Sequence, residues 1–152
     1  MFEPKEHKYS IPFSGSAEKA IDVARTSLLS LGFEISAISE NELYATGPGM
    51  HSNQQPDLLG VSTLKLLVDT SSITAIAKLG SAAKMKAFVY IFPPALVLIL
   101  LLVFSLIGME VSWHFVWLLL PWIFISPLIG NMIERRTTKA VDRLVRGMAQ
   151  SK

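Results

Sequence analysis

Between Ala87 and Ile133 the chain carries a single charged side chain, Glu110. No other feature restricts its fold so severely. The segment 87–107, AFVYIFPPALVLILLLVFSLI, has no charge at all, and after the link GMEVS comes 113–133, WHFVWLLLPWIFISPLIGNMI, with His114 as its only ionisable group. A helix of either length spans about 30 Å, the thickness of a hydrocarbon core. A domain this small cannot bury two helices that are apolar all round, so both are expected to cross a bilayer.

The flanks set the expected orientation. Lys78, Lys84 and Lys86 precede the first span, Arg135, Arg136 and Lys139 follow the second, and the link has no Lys or Arg. Positive charge near span ends stays on the cytoplasmic side, which places both termini there, in a plasma membrane or bacterial inner membrane. Trp113 suits the far interface and Tyr90 the near one. The amino-terminal sequence MFEPKEHKYS has no apolar core of a cleavable signal. Pro93, Pro94, Pro121 and Pro127 each remove a backbone donor from a span. They read as kinks in an anchor, because the spans hold no Asp, Glu, Lys or Arg that could bind an ion. The Pro93-Pro94 pair leaves two starts for the first crossing, near residue 87 or at Pro93 with residues 81–92 partly along the interface. Ser126 and Gly130 form a small-xxx-small pair able to seat the other helix or a second copy of the chain.

Residues 8–80 read as a small α+β domain with the order β-α-β-β-β-β. His7–Phe13 alternates, with Tyr9, Ile11 and Phe13 on one side, as a half-buried strand does. Ser16 is the expected N-cap of a helix over about 17–31, whose apolar stripe is Ala20, Ile21, Ala24, Leu28 and Leu31, and Gly32 is its natural stop. Phe33–Ser39 and Glu42–Thr46 flank the turn Glu40-Asn41, and Val61–Val68 and Ile73–Leu79 flank Asp69-Thr70-Ser71-Ser72. The expected result is a mostly antiparallel sheet with one helix over one face. The organisation is then a cytoplasmic domain at 1–80, a transmembrane hairpin at 81–133 and a basic tail at 134–152. Only Gly80–Lys86 separates the last strand from the membrane, so the domain sits close to the bilayer.

The tail IERRTTKAVDRLVRGMAQSK has an apolar stripe of Val141, Leu144, Val145 and Met148, with Arg135, Arg136, Lys139, Arg143 and Arg146 elsewhere. The favoured expectation is an amphipathic helix on the anionic inner leaflet, those five basic residues contacting lipid head groups. The alternative is that the stripe docks on the amino-terminal domain.

Charge narrows the function. Residues 1–86 hold eight Lys/Arg against nine Asp/Glu, whereas 134–152 hold six against two. The basic pI of 9.0 therefore belongs to the tail. Nucleic-acid binding needs a basic face on the folded part, and none is expected. The chain has no cysteine, which removes thiolate chemistry and Cys-ligated zinc. His7, His51 and His114 lie on separate segments and make no metal spacing, and no phosphate-binding or dinucleotide motif is present. No cofactor is expected.

The segment least like scaffold is GPGMHSNQQPDLLG, 47–60, with three glycines and two prolines. Loops of this length are often functional. His51, Ser52 and Asp57 are the residue types of a hydrolytic triad, but there is no Gly-x-Ser-x-Gly, and a triad on one mobile loop is poorly preorganised. An enzyme is not expected. His51, Ser52, Asn53, Gln54 and Asp57 are instead the candidate contacts for a ligand or partner, with a plain connector as the alternative. The expected whole is a small membrane protein displaying a cytoplasmic binding or scaffolding module, with the bilayer and a protein partner or a second copy as its associates. The rival is an oligomeric pore or transport component, similar to holins in outline through its two spans and basic tail.

Overall fold

A computed structural model describes residues 3–48, 58–108, 117 and 120–150. Its elements are β1 (Glu6–Pro12), α1 (Ala17–Ser30), β2 (Glu34–Ile38), β3 (Glu42–Thr46), β4 (Thr63–Val68), β5 (Ser72–Lys78), α2 (Gly80–Leu106) and α3 (Leu120–Gln150). The five strands form one fully antiparallel sheet in the order β1-β5-β4-β3-β2. The β-α-β-β-β-β order is the expected one. Strands β2 to β5 pair in chain order and β1 returns to pair with β5, so β1 and β2 are the edges of the sheet.

Alternation within each strand sorts the two faces. Ile73, Ala75 and Ala77 on β5, Leu64, Leu66 and Val68 on β4, and Leu43 and Ala45 on β3 are all buried on one side. Against them α1 lays Ala20, Ile21, Ala24 and Leu28. Ser16 takes the N-cap position with extended backbone but makes no side-chain capping bond, and Gly32 ends the helix at φ 79°, a left-handed conformation that costs glycine little.

The core holds a second helix that the expectation of one covering helix missed. Val141, Val145 and Met148 of α3 are no more than 1% exposed and belong to the same apolar cluster as Leu28 and Ile73. The stripe thus docks on the domain and does not lie on lipid. The physical reason is geometric. α1 packs chiefly on β2, β3 and β4, which leaves β1 and β5 largely uncovered, and α3 supplies the missing cover. Asp142 Oδ1 lies 2.9 Å from His7 Nε2, and Arg146 Nε donates to the Tyr9 hydroxyl at 2.9 Å, so α3 is also tied to β1 by polar contacts.

No linker separates sheet and helix. α2 begins at Gly80, two residues beyond β5, and its first amides find partners on the lead into β4: Gly80 N–H donates to Ser62 Oγ and Ala82 N–H to the Gly60 carbonyl. These bonds satisfy donors that a helix start leaves open. Gly60 itself lies so close to α3 that an added Cβ would collide with the Thr137 side chain.

From there α2 runs unbroken through Pro93 and Pro94 to Leu106. Its 27 residues reach about 40 Å. It is long and apolar enough to cross a membrane, with mean hydropathy 2.7 over its most apolar stretch and none of that stretch buried. α3 is likewise continuous from Leu120 through Pro127 to Gln150, so the apolar segment and the basic tail are one helix. The expected link at 108–112 and the start of the second span fall mostly outside the described residues.

Candidate functional site

The two long helices run antiparallel and touch where they leave the sheet. Lys86 and Glu134 form an ion pair there, and Lys5, at the entry to β1, adds its ammonium 2.7 Å from the other Glu134 oxygen. Bonds first to Lys5 and then to Lys86 hold the Glu134 carboxyl below the usual carboxylate range, against the opposing effect of burial. Three separate stretches of chain are thereby tied by one carboxylate. No local sequence pattern marks Glu134, because the two lysines that give it meaning are 129 and 48 residues away.

Ser126 is 1% exposed and its hydroxyl donates to the Trp122 carbonyl at 2.7 Å. At Gly130 an added Cβ would stand 3.1 Å from the Lys86 stem. A turn further on, Trp122 Nε1 donates to the Val89 carbonyl at 2.8 Å.

The register of the sheet gives this junction a plane. Glu6, Lys78, Thr63, Thr46 and Glu34 stand side by side across all five strands, and the row lies at the end of the sheet where α2 departs and Glu134 sits. Just beyond it Lys84, Arg135, Arg136 and Lys139 are exposed. Arg143 is exposed along a groove between α1 and α3, and Arg146 is engaged with Tyr9. By helix rise, Arg143 and Arg146 stand about 14 and 18 Å along α3 from Glu134, against about 8 Å or less for the nearer three.

At the other side of the domain, α1 and β2 leave an open seam. One part, of about 410 Å³, is lined by Arg25, Leu29 and the stretch Ile35–Ile38. It continues into a part of about 640 Å³ bounded by Glu18, Asp22, Ser39 and Glu40, with Arg25 and Ile38 shared between them. Leu29 and Ile38 are about half exposed, at 50% and 48%. The signal for Leu29 was present in the sequence, since it falls one position off the buried stripe of α1.

The sheet face away from the helices carries polar pairs of its own beside Leu67 and Ile76. Lys65 lies over the Tyr44 ring and 3.3 Å from Glu42, and Ser10 bonds Thr74 across strands. The loop candidates His51, Ser52, Asn53, Gln54 and Asp57 lie outside the described residues. Among the described residues no three His, Asp or Glu side chains gather as metal ligands would.

Comparison with protein-family models, with curated proteins and with solved structures gives no match to this chain.

Proposed function

We propose that the chain is an integral membrane protein whose two apolar helices cross the bilayer as a hairpin. In this reading both ends lie on the cytoplasmic side and the α+β module is held against the inner surface to bind a partner, not to catalyse. One observation carries this reading. α2 leaves the sheet with no linker and keeps its whole apolar stretch outside any protein core. Leu98, Leu102 and Leu106 are each more than 60% exposed, and contiguous exposed apolar surface of this extent needs an apolar solvent. Lys84, Arg135, Arg136 and Lys139 then stand at head-group level, within about one Debye length of an anionic leaflet.

Topology is tested on the full chain, which has no native cysteine. A single cysteine at exposed Ser14 should be shielded from a membrane-impermeant thiol reagent in intact cells, and one at Ser112 should react. Labelling at Ser14 but not at Ser112 would reverse the orientation. Release of the protein from membranes by alkaline carbonate would remove the membrane reading altogether.

A further inference from the structure

We propose that the free edge of β2, with the flank of α1 that overhangs it, takes an extended segment of a partner protein as a sixth strand. β2 is the last strand of the sheet, and an edge strand presents backbone donors and acceptors that only another extended backbone satisfies in series. Ser39 N–H bonds the Glu42 carbonyl, and Ala37 stands opposite Tyr44. By the alternation of an antiparallel ladder, the amide of Ile38 between them faces away from β3, toward the open edge.

Side chains around this edge define what it would accept. The register shift between Ile35 and Ala37 puts two residues on the outer face in succession and returns Ile38 to the helix side, opposite buried Leu43. Ile35, Ile38 and Leu29 therefore form an apolar strip beside the edge, suited to alternate apolar side chains of an incoming strand. Past Ile38 the seam is acidic, with Glu18, Asp22 and Glu40 against Arg25. No ion pair among the described residues engages any of these four. The complementary segment, running antiparallel to β2, carries basic residues at its amino-terminal end and alternating apolar residues after them.

Antiparallel pairing with a second copy of this chain does not fit the edge, a point that rests on the membrane reading. Antiparallel pairing of β2 with β2 of another copy reverses strand direction. The row that includes Glu34 and Lys78 would then point away from the bilayer in one of the two molecules. Two chains anchored in one membrane cannot meet that way.

The test uses the full chain in detergent micelles and a fluorescein-labelled peptide, Lys-Lys-Thr-Val-Thr-Ile-Thr, read by fluorescence anisotropy. Saturable binding is expected with a dissociation constant of roughly 10–100 μM. Ile38→Pro, which removes an outward amide at an edge position where proline is tolerated, and Leu29→Glu should each weaken binding at least ~10-fold. Ser10→Glu on the opposite sheet face should leave it unchanged. Moving both lysines to the carboxyl terminus of the peptide should weaken it several-fold. Absence of saturable binding, or binding that survives Leu29→Glu, overturns the proposal. So does a dimer that Ile38→Pro dissolves, since the occupant is then a second copy. Thermal melts confirm that the variants fold, and Leu29→Glu, on an exposed helix position, decides the matter if Ile38→Pro does not. The micelle assay reads the edge whether or not the helices cross a bilayer, so its failure is distinct from failure in the carbonate extraction.

Discussion

Trp122 Nε1 donates to the carbonyl of Val89 at 2.8 Å, and Val89 is the residue whose helical partner Pro93 removes. In a regular helix that carbonyl would accept the amide of residue 93, and proline has none. A carbonyl stranded on an apolar helix is costly, and here the neighbouring helix supplies the missing donor. Trp122→Phe should therefore destabilise the helix pair by about 1–2 kcal/mol in the native background. In a Pro93→Ala background, where α2 satisfies Val89 itself, the same change should cost only a few tenths. Denaturant titration of the four proteins in detergent measures the coupling. Equal costs in both backgrounds would show that Trp122 serves only as packing.

Glu134 predicts an acid sensitivity of known sign. Its pKa is lowered in the folded chain by Lys5 and Lys86. A carboxyl with a depressed pKa contributes stability above its unfolded value, near 4.5, and loses that contribution as pH falls through the folded value. The wild-type melting temperature should therefore drop more steeply than that of Glu134→Gln between about pH 5 and about pH 3. At neutral pH the variant should be less stable by about 1 kcal/mol, since the carboxylate is partly solvated and screened. Parallel melting curves over that range would show that the Lys5–Glu134–Lys86 contact contributes nothing.

The docked tail gives a third expectation. Val145 is fully buried in the core of the domain, so Val145→Asp places an unpaired carboxylate there at a cost of several kcal/mol. That is comparable with the whole stability of a small domain. The α+β module should lose its cooperative melt, while the chain stays in the membrane fraction. Arg143→Gln, on the exposed side of the same helix, should change stability by less than about 0.5 kcal/mol. A cooperative melt surviving Val145→Asp would return the stripe to the lipid.

That third case also shows where sequence and structure part. α1 and all five strands were legible to within about two residues, because each has a clear local period and a turn at its end. β3 at Glu42–Thr46 matches residue for residue. The tail stripe was visible as well, but Val141, Leu144, Val145 and Met148 look the same whether they face lipid or protein. What decides is that β1 and β5 lack cover, a fact of sheet order and not of local pattern. Glu134 was hidden for a related reason, since its meaning comes from Lys5 and Lys86. The seam at Leu29 and Ile38 needed both the edge position of β2 and the register shift beside it. The apolar run of α2 required no tertiary knowledge, because length and hydropathy alone make it fit to cross a bilayer.

The docking of α3 divides the five basic residues first expected at lipid head groups. Arg135, Arg136 and Lys139 follow Glu134 within about 8 Å along the helix, inside a Debye length at physiological salt. In the proposed membrane placement Arg143 and Arg146 stand about 14 and 18 Å along, where an anionic surface would be largely screened, and Arg146 is already bound to Tyr9. The two groups should therefore separate in experiment. In nanodiscs of phosphatidylglycerol the wild-type chain should melt several degrees higher than in phosphatidylcholine, and the difference should shrink with added salt. Changing Arg135, Arg136 and Lys139 together to Gln should erase most of that lipid dependence, since each basic residue near the surface contributes about 1 kcal/mol. Changing Arg143 and Arg146 to Gln should lower the melting temperature in both lipids by a similar amount, through loss of the Tyr9 contact, and leave the difference between them intact. If the second pair governs the lipid difference and the first three do not, α3 lies along the bilayer surface after all and the upright placement of the domain is wrong.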